Sequence, residues 1–145
     1  MDTPAPKPTA DELLQQYLTN ESIAFDISDQ PRKQRLLPVH TKGGTIYIKL
    51  SASAGQTIGV FHINRDIENL YMAYMWNVRD EGEPTLYVIS YANAVLLAQN
   101  QGWTNAPSWK QANGGYTTSK PSDKLLKDLE RYKYTSNNLL TLVTQ

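Results

Sequence analysis

Apolar residues recur along the chain with two different periods, and the changes of period mark out the elements. Leu13, Leu14, Tyr17 and Leu18 stand at i, i+1, i+4 and i+5. They form one face of a short helix over residues 10–18, with Thr9 or Asp11 placed to cap it. Ile23, Phe25 and Ile27 alternate with other residues and predict a short strand. The clearest local signal comes next. Two apolar runs, 36–41 and 45–50, are joined through Gly43-Gly44 and read as a β-hairpin. In its second strand Ile46, Ile48 and Leu50 face one way, and Thr45, Tyr47, Lys49 and Ser51 face the other. Lys49 is thus expected among polar neighbours on one sheet face, away from the core.

Residues 57–63 resume as a strand, and 64–69 form a polar connection with room for one helical turn. The run 70–78 alternates Leu70, Met72, Tyr74, Trp76 and Val78 against Tyr71, Ala73, Met75 and Asn77, which predicts a strand. With the polar turn 79–84 and the apolar run 86–89 it makes a second hairpin. Ser90 is placed to cap a helix marked by Ala94, Val95, Leu97 and Ala98, closed at Gly102. Residues 103–118 read as an irregular loop whose aromatics fold back on the domain. Pro121-Ser122-Asp123 opens a last clear helix with Leu125, Leu126, Leu129 and Tyr132 as its buried stripe. Leu139, Leu140 and Leu142 pack a short closing segment. Strands that cluster instead of alternating with helices predict an α+β domain over residues 10–145. Its sheet is expected to be largely antiparallel or mixed, of about five strands, flanked by helices. A proline-rich flexible leader is expected over residues 1–9.

Composition narrows the chemistry. The 145 residues carry 14 Lys+Arg against 14 Asp+Glu and no Cys. Without cysteine there is no disulfide, thiolate metal site or thiol nucleophile. No apolar run approaches the roughly 20 residues that cross a bilayer, so a cytoplasmic chain with no membrane partner is expected. Zero net charge makes any affinity for nucleic acid modest and strongly salt-sensitive. Charge is nevertheless concentrated locally: Arg32, Lys33 and Arg35 form the densest basic cluster, either a solvated loop or one that touches phosphates. Nine Tyr and three Trp against two Phe suit half-buried sheet margins and interfaces.

Phosphate-loop, dinucleotide, serine-hydrolase and zinc-protease motifs are absent. His40 and His62 do not stand at metal-ligand spacing within one element and read as structural or surface residues. Asp80, Glu81 and Glu83, beside Gly82 and Pro84, read as a solvated turn. No metal site and no cofactor is expected from these residues.

The element order from residue 10 to 90, with Ile46-Tyr47-Ile48-Lys49 leading into Leu50-Ser51-Ala52-Ser53, resembles the PD-(D/E)XK nucleases, the restriction-endonuclease-like superfamily. The resemblance implies a helix, three antiparallel strands, then a helix and a further strand. It also implies an acidic residue on the second strand and an acidic-or-Gln, any residue, Lys triplet on the third. In that chemistry carboxylates hold a divalent metal that polarises the phosphodiester and lowers the pKa of water, while the lysine stabilises charge. Lys49 matches the lysine. Tyr47 stands where Glu, Asp or Gln belongs, residues 36–41 hold no aspartate, and no carboxylate occurs between Gln30 and Arg65.

The resemblance therefore implies a catalytically degenerate domain that binds DNA or RNA, or assists a DNA-processing or defence system. In it Arg32, Lys33, Arg35, Lys42 and Lys49 would touch phosphates from one edge, and Tyr47 would stack on a base. If Asp26 on the earlier strand has taken over the carboxylate role, the chain would instead be a Mg²⁺-dependent nuclease using Asp26 and Lys49. A third possibility belongs to another class: a protein–protein interaction module of the phage or plasmid accessory or inhibitor type. It would bind a partner protein or a second copy of this chain through Trp103, Trp109 and Tyr116.

Overall fold

The computed structural model describes residues 8–27 and 36–144. Arg32, Lys33 and Arg35, and the leader up to residue 7, lie outside the described residues. Helix α1 (Ala10–Asn20) starts at a capping box: the Thr9 hydroxyl accepts from the Glu12 N–H, and the Glu12 carboxylate accepts from the Thr9 N–H. Strand β1 (Ala24–Phe25) is shorter than the alternation predicts, and Ile27 beyond it is exposed. The hairpin forms as expected from β2 (Leu37–Thr41) and β3 (Gly44–Ala52), with Thr41 opposite Gly44 across the turn. Gly44 adopts φ +122°, which a side chain would disfavour.

Next come β4 (Ile58–Phe61), a 3-10 turn (His62–Asn64), β5 (Leu70–Trp76) and β6 (Thr85–Ser90). Helix α2 (Tyr91–Asn100) is capped by the Ser90 hydroxyl and followed by Gly102 at φ +78°. Strand β7 (Gly115–Thr118), helix α3 (Asp123–Leu129) capped by Ser122, and the single-turn α4 (Leu139–Leu142) complete the chain. The carboxylate of Glu21, just after α1, reaches across to accept from the Leu139 and Leu140 N–H groups, first-turn donors that have no partner within the helix.

Five strands form one mixed sheet in the order β1-β2-β3-β5-β6, an α+β architecture. All neighbours are antiparallel except β3 and β5, which run parallel with Lys49 opposite Met72. The parallel pair requires a crossover, supplied by β4 and the 3-10 turn. At this point the resemblance implied a helix. Each face of the sheet carries its own core. On the first face Ile46, Ile48, Tyr71, Ala73 and Met75 pack under α1 and α4. On the second, Met72, Tyr74, Trp76, Tyr87 and Ile89 pack under α2 and α3. β5 is buried along its whole length because both faces are covered.

A second, two-stranded sheet pairs β4 with β7 antiparallel, Val60 opposite Tyr116. It lies on the second face through Ile58 and Val60. The stretch read as an irregular loop thus contributes a strand. Gly115 is required there: a Cβ on it would stand 2.3 Å from the Val60 carbonyl oxygen. The predicted strand over 57–63 also ends early, at Phe61, where the chain enters the 3-10 turn. No helix among the described residues is long and apolar enough to cross a membrane.

Candidate functional site

Among the described residues, the second face of the sheet is roofed over β5 and β6 and less covered over β2 and β3. Alternation puts Pro38, His40, Thr45, Tyr47, Lys49 and Ser51 on that face, and all except exposed His40 are half-buried. Where this less covered strip meets the β4–β7 ribbon there is a cleft of about 420 Å³. Lys49, Ser51 and Met72 form its floor on the main sheet. Phe61, Ile63 and Thr117 wall it from the ribbon side.

Lys49 is held in this cleft by one close contact. Its Nζ donates to Asn64 Oδ1 at 2.8 Å. Asn64, at the end of the 3-10 turn, is 3% exposed and is the one buried polar side chain among the described residues. The ammonium is therefore oriented by a neutral amide, and no carboxylate among the described residues pairs with it at the cleft. Lys49 is the only charged side chain lining the cleft among the described residues. A Mg²⁺ ion takes oxygen ligands that include one or two carboxylates. The hydroxyl and amide groups around Lys49 do not fit it. More broadly, no group of three His, Asp or Glu side chains converges among the described residues.

The ribbon that walls the cleft is fixed by side chains from beneath it. Along the edge of β4 that does not pair with β7, three alternate carbonyls each accept a hydrogen bond. The Trp76 indole N–H donates to Thr57 O at 2.8 Å, the Tyr74 hydroxyl to Gly59 O at 2.6 Å and the Tyr91 hydroxyl to Phe61 O at 3.0 Å. Burial raises the phenol pKa of Tyr74 and of Tyr91 above the usual value; Tyr91 also feels the opposing pull of the Arg65 charge. The far side of the ribbon is tied at the turn, where the His62 N–H donates to Gly114 O at 2.9 Å. His62 Nε2 contacts Trp109 O at 2.7 Å, and its ring stands edge-on to the Trp109 indole.

The remaining residues singled out by sequence fall in three places. Asp26 follows β1, on the same sheet face as Lys49 but two strands away, roughly 10 Å between strand axes. Its carboxylate is engaged by His40 Nε2 at 2.9 Å, and His40 Nδ1 lies 3.2 Å from Thr45 Oγ1. Lys42 is exposed in the β2–β3 turn, seven residues from Lys49 or about 20 Å along the hairpin. The two lysines do not share an edge as expected. Tyr47 is half-buried on the less covered strip and packs partly against the second core. Trp103 is not a surface residue: it is 7% exposed and stacked on Tyr116 at 4.9 Å between ring centres. Trp109 is half-buried against His62. Sequence reasoning missed Asn64, which lies in the polar connection 64–69, and Phe61, which it placed in the strand 57–63 without a role. Compared with protein-family models, curated proteins and solved structures, the chain finds no match.

Proposed function

We propose that this chain is a restriction-endonuclease-like domain that has lost its metal-binding carboxylates and binds nucleic acid through phosphates at the Lys49 cleft. The observation that carries this reading is the Lys49–Asn64 contact. A lysine on the third strand, partly withdrawn from solvent and held by a neutral amide, is placed to donate to an incoming phosphate. The order α1, β1, β2, β3, followed by a further strand parallel to β3, supports the resemblance; the missing crossover helix weighs against it. No hydrolytic step is assigned, because among the described residues no carboxylate lines the cleft to organise a metal or a water. The domain acts by binding, alone or beside a DNA-processing partner.

The test is a fluorescence anisotropy titration with short single-stranded and duplex DNA at two salt concentrations. Binding is expected to weaken steeply with salt. Lys49→Gln should lower affinity roughly three- to tenfold and reduce the salt slope by about one. Asn64→Asp should weaken binding similarly, since the new carboxylate pairs with the ammonium while keeping the side chain's shape. Undetectable binding of either DNA at low salt would reject the proposal and leave the protein-interaction reading in its place.

A further inference from the structure

Phe61 is set into the ribbon in an unusual way. Its ring lies against two glycines, one on each strand: a Cβ on Gly59 would stand 2.6 Å from the ring, and a Cβ on Gly115 2.7 Å from it. Any other residue at either position would push the ring out of its seat. The carbonyl of Phe61 is fixed by Tyr91, and the 3-10 turn that follows carries Asn64, the partner of Lys49. Phe61 as a whole is nevertheless 41% exposed, and it lines the cleft. A ring immobilised from behind by backbone and open in front has the form of a stacking platform. Beside it stands a cation oriented for an anion. A cleft of about 420 Å³ has room for one nucleotide and is too small to enclose a duplex.

We infer that the cleft takes a single unpaired nucleotide of a single-stranded nucleic acid, its base stacked on Phe61 and its phosphate on Lys49. This rests on the phosphate-binding reading above and narrows it to single strands. Charge complementarity favours this occupant over an apolar protein side chain, because an ammonium would be costly to cover with apolar atoms.

The decisive experiment titrates the full chain with a fluorescent ten-nucleotide oligothymidine, an abasic strand of equal length, and a duplex of equal length. Phe61→Leu keeps apolar bulk and removes the π face. It should lower single-strand affinity about tenfold and leave duplex affinity unchanged. The abasic strand should lose a similar factor against the unaltered protein, a readout that does not depend on any variant folding. The inference is overturned if Phe61→Leu and the abasic strand both bind as tightly as their references while Lys49→Gln still weakens binding; phosphate recognition would then stand without stacking. Absence of binding to all three probes overturns the inference and the phosphate reading together.

Discussion

At the scale of single residues, the tyrosines explain more than their number suggested. Tyr74 is fully buried, and its hydroxyl satisfies a backbone carbonyl of β4. Tyr74→Phe leaves Gly59 O without that donor and should cost about 1–2 kcal/mol in chemical denaturation. Its pH signature follows from the raised phenol pKa, a consequence of burial shared with Tyr17, Tyr71, Tyr87, Tyr91 and Tyr134. In the unfolded chain these phenols ionise near pH 10, while in the folded protein they hold their protons to higher pH. The unfolded state then binds fewer protons, so stability is intact below pH 10 and falls as pH rises beyond it. Tyr74→Phe should flatten that alkaline fall, as read by unfolding midpoints from pH 9 to pH 11.5. An unchanged slope would mean that its burial is not maintained in solution. Strict alternation along the second hairpin strand is enough to place Lys49 on the correct face. Nothing in the sequence marks Asn64 as its partner, because the contact spans a crossover rather than a strand register.

Elements differ in how much of their cause is local. Both long helices were legible because their signals lie within a few residues: Thr9 and the face of Leu14, Tyr17 and Leu18 for α1, Ser90 and Gly102 for α2. The β2–β3 hairpin was legible for the same reason. Strand β7 was not. Its residues Gly-Tyr-Thr-Thr carry little apolar pattern, and its partner β4 is more than fifty residues earlier in the chain. What makes it a strand is the close approach of two backbones at Gly115, a constraint visible only in three dimensions. The parallel β3–β5 pairing was hidden likewise, since a parallel register depends on the whole crossover. Gly115→Ala tests this account directly. The added methyl meets backbone on Val60 and cannot be accommodated by a side-chain rotation. It should destabilise the protein by about 1–3 kcal/mol and raise amide exchange across β4 and β7 ahead of the main sheet. Gly55→Ala, where a Cβ meets nothing within 4 Å, is the matched control and should be nearly neutral. Equal losses at both positions would contradict the close-approach argument.

For the whole molecule, the central question is whether the two cores act as one. They share no side chains, yet both are built on β5, whose alternate residues enter opposite clusters. Removing atoms from one cluster loosens strands that the other cluster also needs, so the two faces should unfold together. The distribution of tryptophan makes this measurable. Trp76 and Trp103 belong to the second core and Trp109 packs at its margin, whereas the first core has no tryptophan among the described residues. Leu18, fully buried in α1, lies in the first core. Leu18→Ala should cost about 2–5 kcal/mol through lost transfer energy and the cavity left behind. Because the sheet couples the faces, that loss should appear in full in the tryptophan fluorescence transition, with the same denaturant midpoint as the far-ultraviolet dichroism and an unchanged slope. The reciprocal variant, Leu129→Ala at the end of α3, should shift both probes by a comparable amount, and the double variant should be additive because the two sites lie on opposite faces. A tryptophan midpoint that stays in place while the dichroism midpoint falls would show that α1 and α4 detach as a separate unit. The less covered strip beside Lys49 would then border a face that loosens independently, and a rigid cleft could not be assumed for any ligand.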